Sequence, residues 1–434
     1  ARYNSSGSLD TSFNSTGIKT INAQHDEASS VIQQADGQLV VVGTNGNYDF
    51  MLVRYNSNGS LDTGFNGTGV LTAAFGTTDY AYSVIQQADG KLVAAGRSNS
   101  NSNGDIALMR CDANGSLDTG FDTDGKLLTN IGLSSNYAEA ESVIQQVDGK
   151  LVVAGSSNSS SFKDFALTRY NSDGSLDTSF NATGILTTDF GTSYDYARSV
   201  IQQAEGKLVI AGHSNWDFAL ARYNANGLLD TTFNGTGKLT TDFGVSYYGV
   251  ANSVIQQMDG KLLVAGYRAE NSGSYKKLFA LVRYNSDGSL DTGFNGTGML
   301  YTDMGNSEGA FSVIQQANGK LVAAGNSNGN FAMVRYNNDG SLDASFTSTS
   351  QPPGIGNASF YASALVQQAD GKLVAAGDVV ELVGYDNDDD PLYSYRPALV
   401  RYNDDGSLEL SFNGKGVLKI ANGIENDKDK SLFQ

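Results

Sequence analysis

One block of the chain, SVIQQADGQLVVVG at 30–43, returns six more times, at 84–96, 143–155, 200–212, 254–266, 313–325 and 365–377. Each copy reads as a β-hairpin: an apolar run, a turn built on Gly, then a denser apolar run closed by Gly. Self-similarity at a long fixed period means that one supersecondary unit is stacked against copies of itself. No single copy can bury its own apolar face, so the whole array must be one architecture.

The repeat has a fixed order. SVIQQ (strand A) is followed by a turn, KLVVAG (strand B), a variable loop, FALVRYN (strand C), an Asn-Gly or Asp-Gly turn, and SLDTGFNGTG leading into GVLTTDF (strand D). The Arg that ends strand C falls at positions 54, 110, 169, 222, 283, 335 and 401. KLVVAG is continuously apolar, as in a strand covered on both faces, whereas FALVRYN alternates. Asn-Gly and Asp-Gly suit type I′ hairpin turns, which need positive φ at both central residues. The result is a four-stranded antiparallel meander in each unit. Composition agrees, with 51 Gly, abundant turn-forming polar residues and only 4 Pro.

Repeated radially, such meanders make a propeller; a β-helix would need shorter repeats of parallel strands. The expected fold is therefore all-β, a seven-bladed β-propeller of four-stranded antiparallel blades closed by a terminal strand, with 1–434 as a single domain. Either 17–22 or 416–421 can supply that outer strand. If the N-terminal segment does so, the stretch from about 410 to 434 is a surplus strand and tail. The blocks VIQQADGKLVVAG, DFALVRYN and DGSLDTSFNGTG recur in order over nearly the whole chain, and in this the sequence resembles the delta-sixty repeats of bacterial secreted and surface proteins. The resemblance implies a β-propeller, a bacterial source and an extracytoplasmic location, secreted or at the cell surface. It transfers no catalytic residues. The clearest departures are 347–360, which replaces the usual strand D, and the insertion after Gly377.

A net charge of −18 argues against nucleic acid or an anionic membrane surface as partner, since both call for a basic face. No stretch approaches the roughly 20 apolar residues of a membrane helix, and no signal peptide is evident. The chain opens part-way through a repeat, which reads as a mature or trimmed product. The lone Cys111 excludes a disulfide framework and a Cys-based metal site.

Meander parity puts the A–B and C–D turns at one end and the variable B–C and D–A loops at the other, where recognition is usually carried. The variable loops supply Tyr80, Tyr82, Tyr137, Tyr194, Tyr196, His213, Trp216, Tyr247, Tyr248, Tyr267 and Tyr275 as candidate ligand-binding residues. Rigid aromatics with polar tips suit sugars or protein loops, and the same rings could fill wedges between blades. His25 and His213 are isolated, so no Ser-His-Asp set is legible and no catalytic residue is assigned. Asp386, Asp388 and Asp390 have the alternate spacing of a calcium loop, although Pro391 stands where such a loop carries Gly. They form the metal candidate, with calcium the cofactor considered. In Asn171–Asp177 and its copies, Asp, Asn and Ser interchange as turns tolerate and metal sites do not. Sequons such as Asn66-Gly67-Thr68 recur at one place in the unit and are read as turn chemistry. The Arg of RYN and the Asp of SLD are expected to form a structural pair.

The expected function is an extracellular binding or adhesion propeller, recognising a glycan or a surface protein through its Tyr-rich face. A structural subunit, self-assembling through a terminal strand or the last long loop, is the first alternative. A hydrolase or lyase with acidic residues near the central axis is the second.

Overall fold

The structure is a computed structural model and describes residues 27–56, 60–100, 104–131, 137–158, 162–191, 194–244, 247–270, 276–305, 308–327, 330–346, 359–367, 372–385, 391–405, 407 and 417–419. Among them every regular element is a strand, and no helix is long and apolar enough to cross a membrane. The chain divides into two compact units, Ala23–Asp303 and Ala1–Asn22 together with Met304–Gln434.

The larger unit holds five four-stranded antiparallel sheets, each made of strands consecutive in sequence. The first comprises β1 (Glu27–Gln33), β2 (Leu39–Thr44), β3 (Phe50–Tyr55) and β4 (Val70–Ala73). The second comprises β5 (Asp79–Gln86), β6 (Leu92–Ser98), β7 (Asp105–Cys111) and β8 (Lys126–Thr129). The third comprises β9 (Ala138–Gln145), β10 (Leu151–Ser157), β11 (Asp164–Tyr170) and β12 (Ile185–Thr188). The fourth comprises β13 (Asp195–Gln202), β14 (Leu208–Ser214), β15 (Asp217–Tyr223) and β16 (Lys238–Thr241). The fifth comprises β17 (Tyr247–Gln256), β18 (Leu262–Glu270), β19 (Lys277–Tyr284) and β20 (Met299–Thr302).

Burial follows the sequence pattern. β10 and β11 are buried at every position, whereas the short outer β12 alternates. The apolar faces of neighbouring sheets merge into shared cores, one of which joins Val152, Phe165 and Phe180 to Val200, Leu208 and Tyr223. Each sheet is thus stabilised by its neighbour as well as by its own ladder. The first strands of successive sheets lie against one another, forming the inner edge of the unit.

Each of these inner strands carries a β-bulge at the same place. The register with the second strand slips between Ala81 and Ser83, Ala140 and Ser142, Ala197 and Ser199, and Ala251 and Ser253. The slip explains the invariant Gly that closes KLVVAG. A methyl group at Gly96, Gly155 or Gly212 would collide with the carbonyl of Tyr80, Glu139 or Tyr196 respectively. Only Gly lets the bulged strand approach so closely.

At the opposite end of the strands the recurring Arg is locked. Arg169 donates from Nε to Asp177 Oδ2 at 2.7 Å, lies 4.4 Å from the Phe180 ring centroid, and donates to the Ala225 carbonyl of the next sheet. Arg54, Arg110 and Arg222 repeat the arrangement with Asp62, Asp118 and Asp230. The expected structural pair is therefore also an inter-sheet tie. The Asn-Asp-Gly turns are Asx turns, with Asp173 Oδ1 accepting from Ser175 N at 2.9 Å and from Ser175 Oγ at 2.6 Å. Asn66, Asn181 and Asn234 of the sequons sit at positive φ and donate from Nδ2 to main-chain carbonyls four residues on.

The smaller unit holds a three-stranded sheet of β21 (Glu308–Gln315), β22 (Leu321–Ser327) and β23 (Asn330–Tyr336). Its second sheet comprises β24 (Ser359–Gln367), β25 (Leu373–Tyr385), β26 (Pro391–Tyr402) and β27 (Val417–Lys419). Phe331 stacks on Tyr402 with ring centroids 5.2 Å apart, inside a core that joins the two sheets. Arg335 repeats the lock, pairing with Asp343 and donating to the Asp404 carbonyl. β27 falls within 416–421, one of the two segments expected to supply an outer strand; the other, 17–22, lies outside the described residues.

Candidate active site

The bulge is where the repeat stops being a repeat. The residue at the slip is Tyr82 in β5, Glu141 in β9, Arg198 in β13 and Asn252 in β17, inside a block otherwise almost constant. Bulges re-aim side chains, and here they bring unlike groups together along the inner edge. Arg198 Nη1 and Glu141 Oε1 lie 3.8 Å apart across adjacent sheets. Burial pushes the Glu141 carboxyl above its ordinary range, against the pull of Arg198.

A second row stands two residues earlier on the same strands, with partners from the ends of neighbouring strands. Tyr137 donates to Glu139 Oε2 at 2.8 Å, and Lys163 Nζ donates to Glu139 Oε1 at 2.9 Å. Arg97 donates to the Tyr137 hydroxyl and lies 4.6 Å from the Tyr80 ring centroid. Lys163 sits between the faces of Tyr137 and Tyr196, at 4.3 and 4.7 Å from their centroids. Arg97, Lys163 and Arg198 are thus gathered in one region of a chain whose net charge is −18. Glu139 and Glu141 offset part of this positive charge.

Aromatic rings extend the cluster on both sides. Tyr48 meets Tyr80 at 5.9 Å between centroids, and Tyr80 stacks with Tyr82 at 6.4 Å. On the other side Tyr196 stacks on His213 at 4.9 Å and His213 on Trp216 at 5.6 Å, followed by Tyr248 at 5.7 Å and Tyr267 at 6.4 Å. Tyr194 joins through Tyr196 and stays half-exposed. Trp216 is 56% exposed and Tyr48 49%, although Trp216 is the second residue of a tight turn at φ +65° and Tyr48 closes another at φ +61°. Bulky residues rarely hold that conformation, and here both do so with much of the ring in solvent. Burial holds the His213 imidazole neutral, with its pKa lowered to about 4, and leaves Nδ1 without a partner. Burial also raises the Tyr196 and Tyr82 phenols, the latter to about 12, so both keep their protons at neutral pH.

Of the residues read from the sequence, Tyr80, Tyr82, Tyr137, Tyr194, Tyr196, His213, Trp216, Tyr248 and Tyr267 therefore share one track. Tyr247 does not: its ring packs under Arg268, 3.3 Å from the centroid, with Tyr301 on the far side of that guanidinium. Tyr275, Asp386, Asp388 and Asp390 lie outside the described residues. The sequence reading missed Arg97, Glu139, Glu141, Lys163 and Arg198. Variation at the position just before Ser-Val-Ile-Gln was the signal that could have found two of them.

A family profile described as "Domain of unknown function (DUF5122) beta-propeller" matches residues 1–13, 34–65, 87–121, 146–180, 203–233, 257–294, 316–346 and 368–412. No curated protein matches the chain. Among solved structures, polysaccharide lyase Uly1 is similar at TM-score 0.50 and 16% identity, covering 89% of this chain and 91% of that one. A polysaccharide lyase described as PL25 ulvan lyase, bound to -[GlcA(1-4)Rha3S]-, is similar at TM-score 0.51 and 12% identity, covering 86% and 93%. At such identities the likeness is one of fold. Both of these similar structures are described as polysaccharide lyases, which goes against the expectation of a binding or adhesion propeller and favours the hydrolase-or-lyase alternative.

Proposed function

We propose that this chain, which belongs to the DUF5122 β-propeller family, is a polysaccharide-cleaving lyase that acts on an anionic glycan along its inner-edge cluster. The carrying observation is the convergence of Arg97, Lys163 and Arg198 on a track of aromatic rings in an otherwise acidic protein. The lyases of similar fold, one of them bound to a glucuronate-containing glycan, support the reading.

Cleavage of a uronate chain by β-elimination has three requirements. The sugar carboxylate must be neutralised so that the adjacent C–H becomes acidic, a base must take that proton, and an acid must protonate the departing glycosidic oxygen. Arg198, the most open of the cations, is assigned to the carboxylate, with Lys163 beside it. The neutral His213 imidazole is assigned as the base, and the stacked Tyr196 phenol, still protonated, as the acid. The C–H pair becomes the new C=C bond as the C–O bond breaks, and no water is consumed. Trp216, Tyr248 and Tyr80 offer ring faces on which neighbouring sugars stack.

The finer fold reading, seven blades closed into one ring by a terminal strand, belongs to the same proposal; the repeat count supports it. The resemblance to delta-sixty repeats supports a secreted or cell-surface location, where such a glycan would be met. The test is incubation with uronate-containing polysaccharides, sulfated and unsulfated, followed by ultraviolet absorbance of the unsaturated product and by sizing. New absorbance that disappears in Arg198→Ala supports the lyase. Shortened chains without that absorbance would indicate hydrolysis instead, and intact chains across the panel would refute cleavage.

A further inference from the structure

The junction between the third and fourth sheets gathers three carboxylates that the lyase reading does not use. Asp164 opens β11, Asp189 follows the last residue of β12, and Asp195 opens β13. One oxygen from each lies within 4.8 Å of the others. Calcium holds oxygens at about 2.3–2.6 Å, so ligands on opposite sides of one ion stand roughly 4.6–5.2 Å apart. The spacing leaves room for a shared ion.

Asp189 Oδ1 accepts from Gly191 N at 2.6 Å. Asp195 is fully buried; its Oδ2 accepts from Phe190 N at 2.8 Å, but its Oδ1 has no hydrogen-bond partner. Among the described residues no ammonium or guanidinium pairs with the Asp189 or Asp195 carboxylate. A buried carboxylate with one oxygen unsatisfied and two further carboxylates within reach is relieved by taking up a proton or by a shared cation.

The repeat provides its own controls. At the junction of the second and third sheets the same three positions are Asp105, Asn130 and Ala138. There Asn130 donates to Asp105 Oδ1 at 2.8 Å and Ser100 to Oδ2 at 2.9 Å, so the lone carboxylate is satisfied by neutral donors. At the junction of the fourth and fifth sheets Asp217 and Asp242 have Gly249 as the third member. At the junction of the first and second, Asp79 has the same orphaned Oδ1, but Ala74 occupies the position of Asp189. Three carboxylates meet at one junction alone among the five sheets.

We infer that Asp164, Asp189 and Asp195 form a site for a hard divalent cation, calcium by its oxygen ligands, that clamps the third sheet to the fourth. The site would also brace the catalytic track, because Lys163 precedes Asp164 while Tyr194 and Tyr196 flank Asp195. The inference stands on its own readouts and does not require the lyase reading to hold.

The experiment is calorimetric titration of EDTA-stripped full-length protein with calcium chloride, with thermal unfolding measured in parallel. The expected result is one saturable binding event and a melting temperature that climbs with calcium concentration. Asp189→Asn and Asp195→Asn should each weaken that event at least tenfold, while Asp79→Asn leaves it unchanged. Asp189 is exposed, so its variant keeps the test open should the buried Asp195→Asn not fold. No calcium heat or thermal shift in the wild type overturns the inference, as does an undiminished response in Asp189→Asn.

Discussion

The two ends of the strands in the larger unit use charge in opposite ways. At the turn end, Arg54, Arg110, Arg169 and Arg222 each have the equivalent Asp, the equivalent Phe ring beneath them and a main-chain carbonyl in the next sheet, so their charge is satisfied in the same way each time. At the loop end, Arg97, Lys163 and Arg198 occur once each: Arg97 and Lys163 lean on tyrosine faces, and Lys163 and Arg198 meet Glu139 and Glu141 of the third sheet. Repetition builds the scaffold and departure from repetition builds the site. A charge that recurs in register is structural; one that breaks the register is available for chemistry.

Breaking the turn end should have the largest effect. Arg169→Ala strands the buried Asp177 and the Ala225 carbonyl, and should cost about 3–5 kcal/mol in urea unfolding, nearer the lower figure because Lys150 still holds Asp177 at 3.0 Å. Arg198→Ala is the converse. Partly exposed and paired only loosely, it should shift stability by no more than about 0.5 kcal/mol. Its effect on glycan cleavage should be a loss of about 10²–10³-fold, the scale for removing one preorganised electrostatic group.

Acid sharpens the same contrast. His213 titrates near 4 in the folded protein against 6.5 when unfolded, so the unfolded state binds the proton first. Its contribution is present above pH 6.5 and is lost as pH falls toward 4, by on the order of 3 kcal/mol. Asp177, Asp230 and Asp343 are held well below the ordinary carboxylate range by hydroxyl, main-chain, Lys and Arg donors, despite burial. Their contribution is complete above the unfolded carboxylate pKa and fails only at lower pH. Unfolding measured against pH should therefore lose stability in two steps, and His213→Phe should remove the upper one. The smallest effect on cleavage is expected of Trp216→Gly, which relieves a positive φ. It should move stability by less than about 1 kcal/mol while raising KM for a polymeric glycan.

Much of the scaffold was legible because the repeat states it. KLVVAG announced strands buried on both faces, Asn-Gly and Asp-Gly announced the hairpins, and the shared rhythm of Arg and Asp announced their pairing. The aromatic half of the site was legible too, since Tyr80, Tyr196, His213 and Trp216 stand at positions that the repeat leaves free, although the first three prove to lie in strand ends rather than loops. Its ionic half was not. Glu139 and Arg97 are far apart in sequence and belong to different sheets, so no local spacing relates them. Tyr247 and Tyr248 are adjacent in sequence, yet one packs under Arg268 and the other joins Trp216, because neighbouring residues of a strand face opposite sides.

The sequence by itself determined the unit, its strand order, its turns and the end of the strands at which variation is tolerated. These follow from local preferences, namely apolar period, positive φ at Gly and short hairpin loops, which are written residue by residue. The tertiary structure decided which varied residues meet. The bulge opposite each invariant Gly turns one side chain per sheet to the inner edge, and stacking places Glu141 against Arg198, Lys163 against Glu139, and Asp195 beside Asp164 and Asp189. Those encounters depend on how one sheet sits on the next, a relation that no single repeat contains.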